Sequence, residues 1–234
     1  MPAAVLKNFI NIIYPALCPI CKNQLIEKKG IICHSCFNAI ERNVPPFCKR
    51  CGRHLQRARC GHCQKYTLHF QRAFSPCCYR GKAAEIIHLF KYRRKMKLIY
   101  TISRIMHNFI NIFRIPVQNF NMMAAIPLHP AKLREREFNQ AELIAENISG
   151  AFNIPLSSNN LIKICNRNTQ TKLGFQERFL NMNGVFEIKN KKEITGKNIL
   201  LIDDVLTTGA TCSEASRILK EAGAKNVSVL TFAS

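Results

Sequence analysis

Apolar and polar residues recur along the latter two thirds of this chain in blocks that predict strands and helices in turn. Arg72–Tyr79 reads as a strand, and Gly81 opens a helical run whose Ile86, Ile87 and Phe90 recur at helical spacing. Asn121–Ile126 reads as a strand ending in Pro127-Leu128-His129-Pro130. The helix after it carries Ala141, Ile144, Ala145 and Ile148 on one face. Leu161–Cys165 reads as a further strand. It is followed by Asn166–Arg178, a polar segment without periodicity and long enough to be a lid. The most apolar run, Ile199-Leu200-Leu201-Ile202, predicts a strand covered on both faces, as in parallel sheets. A helix from about Thr211 has Ala215, Ile218, Leu219 and Ala222 at core spacing and Gly223 as its C-cap. Val227–Phe232 closes the series. Such alternation implies an α/β fold with a mostly parallel sheet and a ligand at the carboxyl ends of its strands.

The first seventeen residues follow another pattern. Val5, Leu6, Phe9, Ile10, Ile12 and Ile13 are interrupted by Lys7, Asn8 and Asn11, which leaves no continuous export-signal core. No run approaches the ~18 apolar residues of a spanning helix. The spacing predicts an amphipathic helix packed on its own domain, with peripheral membrane contact as the alternative. A cytoplasmic location is expected.

Charge changes the picture. The 234 residues suffice for one α/β domain and a small extra module, and the net charge is +21. Residues 1–119 hold 21 Lys and Arg against 3 Asp and Glu, whereas residues 120–234 hold 14 against 11. A cationic front half favours nucleic acid or anionic lipid, and a merely solvated surface is the plainer alternative. Residues 79–97 concentrate the feature, with seven Lys and Arg, one acid (Glu85) and two tyrosines, Tyr79 and Tyr92. Cations for phosphates beside aromatics for base faces suit single-stranded nucleic acid. The candidates are Arg80, Lys82, Lys91, Tyr92, Arg93, Arg94, Lys95 and Lys97. A charged outer helix face would look much the same.

Eight of the twelve cysteines form four pairs of one spacing: Cys18/Cys21, Cys33/Cys36, Cys48/Cys51 and Cys60/Cys63. Two intervening residues let both thiolates of a knuckle bind one tetrahedral Zn²⁺, so four knuckles supply two Cys₄ sites. Disulfides would need an oxidising compartment, to which nothing here points. Neighbouring knuckles could pair as a tandem ribbon, or first with third and second with fourth as a cross-brace. His34 and His62 read as bystanders, and Cys77, Cys78, Cys165 and Cys212 as buried small apolar residues. Some sixty residues with few large apolar side chains need the metal to fold, since a structural zinc contributes on the order of 10–16 kcal/mol. Lys22, Lys49, Arg50, Arg53, Arg57 and Arg59 partly offset the negative charge of the two centres. A boundary near residue 70 is expected, with the ribbon module in 1–70 and the α/β domain in 71–234.

Residues 199–211, Ile-Leu-Leu-Ile-Asp-Asp-Val-Leu-Thr-Thr-Gly-Ala-Thr, carry the most chemistry. After the buried strand come two acceptors, Asp203 and Asp204, suited to vicinal hydroxyls of a ribose. Thr207, Thr208 and Thr211 offer hydroxyls, and the turn's N–H groups and the helix N-terminus favour an anion. Gly209 lets the backbone approach a ligand closely. An ordinary strand–turn–helix is the bland alternative. The string resembles the phosphoribosyl-diphosphate (PRPP) motif of type I phosphoribosyltransferases. The resemblance implies that Asp203 and Asp204 bind the ribose 2′ and 3′ hydroxyls and that Thr207, Thr208, Gly209, Ala210 and Thr211 hold the 5′-phosphate. Purine-salvage members often carry a carboxylate where this chain has Thr207, which argues against a hypoxanthine or guanine salvage enzyme.

Taken with the four knuckles, Leu89-Phe90-Lys91-Tyr92-Arg93, Ile126–Pro130, Arg136–Gln140 and Arg167–Arg178, the string resembles the ComF family of competence proteins over essentially the whole chain. The resemblance implies a zinc-ribbon module on a type I phosphoribosyltransferase fold. It implies handling of incoming single-stranded DNA in natural transformation, beside a DNA-translocating helicase at the inner membrane. Leu128 and His129 would belong to a pyrophosphate loop. Arg167, Gln170, Lys172 and Arg178 would belong to a loop closing over PRPP–Mg²⁺. One departure is plain: the family's Arg-Gly-Phe-Asn-Gln reads Arg136-Glu137-Phe138-Asn139-Gln140, which weakens the case for that turn as a phosphate contact. Three functions remain open: a DNA-handling PRPP binder, a working phosphoribosyltransferase similar to the amidophosphoribosyltransferases, and an adaptor docking through its ribbons.

Overall fold

The computed structural model describes residues 16–25, 31–165 and 184–234. The N-terminal amphipathic stretch up to residue 15 and the predicted lid lie outside the described residues, as do Arg167, Gln170, Lys172 and Arg178.

Two short knuckle units open the described chain, one containing α1 (His34–Asn38) and the other α2 (Gly61–Lys65). The α/β part then runs β1 (Ala73–Phe74), α3 (Gly81–Tyr92), α4 (Leu98–Ile112), β2 (Met122–Ala125), α5 (Pro130–Arg136), α6 (Gln140–Phe152), β3 (Leu156–Ser157), β4 (Leu161–Lys163), β5 (Phe186–Ile188), β6 (Asn198–Val205), α7 (Ala210–Glu221) and β7 (Asn226–Ala233). Five strands form a parallel sheet in the order β1-β7-β6-β2-β3. Strands β4 and β5 make a separate antiparallel pair.

Strand β6 has apolar side chains on both faces because both faces are covered. Leu200 and Ile202 pack with Ile86, Phe90, Ile102, Met106, Ile144 and Ile148, so α3, α4 and α6 share one side with Ile20 and Ile40 of the first knuckle unit. Ile199 and Leu201 face Ala215 and Leu219 of α7, with Leu68, Phe70, Cys48 and Cys51 of the second unit. All four β6 residues have no exposed surface, and each such Leu or Ile contributes roughly 1.5–3 kcal/mol.

The predicted strand Arg72–Tyr79 pairs continuously only at Ala73–Phe74 and resumes only at Cys77, which bridges Ala233 of β7 and Arg42 of the ribbon module. Pro76 between them has no N–H for the ladder. Leu161–Cys165 does contain a strand, but it belongs to the antiparallel pair. The helix expected after Pro130 is two helices, because Glu137 turns left-handed at φ 68° and Asn139 then caps α6. Helix α4 fills a stretch to which the sequence reading assigned no element.

Candidate functional site

Strands β6 and β2 are neighbours, so their carboxyl ends and the loops beyond them face one cavity of about 270 Å³. Asp203 and Asp204, in the last residues of β6, lie at its floor, and Thr207, Thr208, Ala210 and Thr211 line one wall. Gly209 makes the turn at φ 79°, and α7 starts at the next residue. Thr208 is spent on the turn itself, its Oγ1 accepting the Ala210 N–H at 3.2 Å. Thr207 is exposed at the rim. The opposite wall is Ile126, Pro127 and Leu128 beyond β2. Asn139 ties that wall to α6: its Nδ2 donates to the Ile126 carbonyl at 3.0 Å while its Oδ1 accepts the Ala141 N–H at 3.1 Å.

Four cations surround the acid pair. Lys91 comes from α3, Lys132 and Arg136 from α5, and Lys163 from β4. Lys91 Nζ donates to Asp204 at 2.7 Å, with the two side chains 20% and 8% exposed. Burial works against the Lys91 charge, but the Asp204 and Asp203 carboxylates outweigh it and hold the ammonium above the ordinary lysine range. Among the described residues Asp203 has no ion-pair partner of its own. Its carboxylate accepts the Asp204 N–H at 2.8 Å and lies 3.6 Å from the Cys212 thiol. Burial, with the Asp204 charge beside it, pushes Asp203 up to about 7. Lys163 is pushed below the lysine range by burial and then by the charges of Lys132 and Arg136. Among the described residues a carboxylate short of cations thus stands beside cations short of an anion, an arrangement that can accept a polyanion carrying a metal ion.

Several residues stand elsewhere than the sequence reading had them. Lys91, grouped with the nucleic-acid residues, is a wall of this cavity. His129, grouped with the pyrophosphate loop, caps α5 by accepting the Ala131 N–H through Nδ1 at 3.2 Å and does not line the cavity. Arg80 is engaged by Glu41, Lys82 by Glu85 at 2.8 Å and Arg94 by Glu137 at 2.8 Å. That leaves Arg93, Lys95 and Lys97 as an exposed turn between α3 and α4, without a carboxylate partner among the described residues. Tyr92 flanks this turn, 58% exposed, and the Arg136 guanidinium lies over its ring at 5.2 Å. Lys132 and Lys163 were not among the candidate site residues. Each is an isolated lysine in its local pattern, and only the fold brings them together.

The cysteines resolve into two sets, Cys18/Cys21/Cys33/Cys36 and Cys48/Cys51/Cys60/Cys63, with the sulfurs of each within 4.8 Å of one another. Neighbouring knuckles therefore pair, and the cross-brace is excluded. Sulfur separations of 3.5 Å for Cys21–Cys33, 3.7 Å for Cys48–Cys63 and 3.5 Å for Cys51–Cys60 sit near the ~3.8 Å edge of a tetrahedron with ~2.3 Å Zn–S bonds. The Cys36 N–H points at the Cys33 sulfur and the Arg50 N–H at the Cys48 sulfur, each at 3.4 Å, as thiolates turned toward a cation require. All twelve cysteines are free of disulfides, and neither His34 nor His62 joins a set. Of the other four, Cys77 and Cys212 are buried as expected, while Cys78 and Cys165 are only partly so.

That combination is the architecture of a zinc-ribbon protein with a phosphoribosyltransferase fold, and family models agree. A double zinc ribbon domain matches residues 9–65 and a phosphoribosyl transferase domain matches residues 141–234. Among similar proteins, Competence protein ComFC of Bacillus subtilis is 36% identical over 155 residues, covering 66% of this chain and 60% of that protein. Competence protein F of Haemophilus influenzae is 25% identical over 151 residues, covering 62% of this chain and 64% of the relative. The match thus spans less than two thirds of either relative. A glutamine PRPP amidotransferase from B. subtilis, solved with ADP and GMP, overlaps 47% of this chain and 22% of its own at 20% identity and a TM-score of 0.30, too slight a likeness to argue from. The chain is thus similar to competence proteins of the ComF kind and carries a double zinc ribbon domain ahead of a phosphoribosyl transferase domain. Among the described residues, no helix is long and apolar enough to cross a membrane.

Proposed function

We propose that this protein binds PRPP–Mg²⁺ in the β6–β2 cavity and single-stranded DNA on its exposed basic turn, as a DNA-handling component of natural transformation. The observation that carries the proposal is the pairing of Asp203 and Asp204 with an anion-ready turn on one side and, on the other, Lys132, Arg136 and Lys163, which have no ion-pair partner among the described residues. The vicinal hydroxyls of a ribose would donate to the acids, and its 5′-phosphate would take the N–H groups of residues 207–211. The pyrophosphate would lie toward Lys132, Arg136 and Lys163. Mg²⁺ bound with PRPP supplies charge neutralisation on the pyrophosphate. Asp203, which has no ion-pair partner among the described residues, is the lining group best suited to that ion.

Calorimetric titration of PRPP–Mg²⁺ against the wild type and Asp203→Asn/Asp204→Asn tests the ligand. Saturable heat lost in the double variant is expected, and equal heats from both would reject the assignment. Titration of fluorescent single strands at several salt concentrations tests the DNA. Four to six phosphate contacts predict a log–log slope of roughly −3 to −4, and no binding at low salt would reject it. Docking to a DNA-translocating helicase belongs to the same proposal and rests on the resemblance alone; peripheral contact with the inner membrane rests on the resemblance and on the amphipathic spacing of the first residues. The second reading, a working phosphoribosyltransferase, is favoured by the cavity itself. Its lining offers charge stabilisation for departing pyrophosphate, and its only carboxylates among the described residues are the two acids of β6. Release of pyrophosphate with an amine or base acceptor would establish it.

A further inference from the structure

We propose that the second zinc ribbon is a strut for the Leu206–Gly209 turn, with the Arg53 guanidinium as the positioning contact. The proposal rests on the reading of that turn as a phosphate cradle and adds what keeps the cradle in shape. A turn whose N–H groups face a ligand needs its carbonyls satisfied on the far side. Here the far side is the ribbon. Arg53, two residues beyond Cys51, donates through Nη2 to the Leu206 carbonyl at 2.5 Å and also to the Thr207 carbonyl. Its own carbonyl accepts the Cys48 N–H at 2.8 Å, and the Cys48 carbonyl accepts the Gly52 N–H at 3.0 Å. The backbone that carries this guanidinium is therefore part of the knuckle that the metal would close.

The chain leaving the ribbon underpins the next residues. Leu68 fills the space beneath Gly209 so closely that a Cβ there would stand 3.2 Å from its Cδ2, and Arg50 holds the Leu68 carbonyl. Ser213 in the first turn of α7 accepts the His69 N–H at 3.0 Å. Neither Arg53 nor Leu68 lines the cavity, so they act on a ligand only through the turn. The first ribbon packs on the other face of the sheet and makes no such contact among the described residues. The turn's geometry should accordingly depend on the second cysteine set and not on the first.

The test uses the full chain carrying both metals, as wild type, Arg53→Ala, Arg53→Lys and, as a control, the exposed Arg57→Ala. Zinc content, amide hydrogen exchange and calorimetric affinity for PRPP–Mg²⁺ are measured on each. Arg53→Ala is expected to keep two zinc ions and to exchange at least tenfold faster over residues 206–210, with the centre of β6 unchanged. It is expected to bind PRPP–Mg²⁺ at least fivefold more weakly. Arg53→Lys, which can reach one carbonyl, should fall between, and Arg57→Ala should match the wild type. Unchanged exchange in Arg53→Ala, or faster exchange with undiminished affinity, overturns the proposal. If Arg53→Ala loses zinc or does not fold, Arg53→Lys decides by the same two readouts. A wild type that binds no PRPP–Mg²⁺ defeats the ligand assignment, and exchange alone then judges the strut.

Discussion

Replacing Lys91 by methionine keeps most of the unbranched apolar stem and removes the terminal ammonium with its charge and donors. Asp204, 8% exposed, would then lie beside Asp203 without a cation at 2.7 Å. Two unit charges near contact are worth about 4 kcal/mol at an effective dielectric constant of ~20, and removing one partner of a buried pair costs about 3–5 kcal/mol. The cavity admits some water to Lys91, so a loss of about 2–3 kcal/mol at pH 8 is the reasoned value. Lys91 is also one of the groups that restrain Asp203, whose carboxyl should climb further above its present value of about 7. Urea unfolding of wild type, Lys91→Met, Asp204→Asn and the double variant, all zinc-loaded, forms a double-mutant cycle. The double variant should recover most of the loss, with a coupling of about 1.5 kcal/mol or more. A Lys91→Met cost below about 0.5 kcal/mol, or purely additive changes, would refute the view of Lys91 as the counter-ion of the acid pair.

The raised Asp203 carboxyl gives PRPP–Mg²⁺ binding a pH dependence with a definite sign. Ribose hydroxyls and a metal ion both prefer the carboxylate, so binding releases a proton, and affinity should rise about tenfold from pH 6 to pH 8 and then level. Asp203→Asn should remove that rise, leaving only the dependence of the ligand's own phosphates; an equally steep profile in the variant would contradict it. At Glu137, the left-handed backbone costs a non-glycine residue about 1–2 kcal/mol, of which glycine's extra freedom when unfolded returns about 0.5–1. Glu137→Gly should therefore stabilise by roughly 0.5–1 kcal/mol in urea unfolding and Glu137→Val destabilise by about 1 or more; a destabilising glycine would contradict this. On single-stranded DNA, Arg93→Ala/Lys95→Ala/Lys97→Ala should flatten the salt slope by about 2, since each lost phosphate contact is worth ~0.7. Arg80→Ala, whose guanidinium Glu41 already holds, should change it by less than ~0.7, and equal effects would deny the basic turn its special place.

What could be read from the sequence was local. The acid pair, the threonine turn and the start of α7 lie within thirteen consecutive residues, so pattern and chemistry coincide there. The knuckles declare themselves by spacing, although only the fold shows that neighbours pair. The cation cluster was beyond a local reading. Lys91, Lys132, Arg136 and Lys163 come from three separate elements, and Lys91 stood in a basic run that looked like a solvated face. Arg53 was hidden similarly, its partner Leu206 being 153 residues away. The missed helix α4 had a signal, for Ile102, Ile105, Met106 and Phe109 recur at helical spacing and are all buried. The break at Glu137 could be anticipated only through the glycine that the resemblance implies at that position, and the left-handed φ is why glycine would suit it.

The central claim, that the end of β6 and the turn beyond it are shaped for a ribosyl phosphate, is tested most directly by a crystal structure of the zinc-loaded protein grown with PRPP–Mg²⁺. The account predicts the 5′-phosphate against the N–H groups of residues 207–211, the ribose hydroxyls on Asp203 and Asp204, and the pyrophosphate among Lys132, Arg136 and Lys163. Ligand bound anywhere else, or a cavity holding only solvent at saturating PRPP–Mg²⁺, would contradict it.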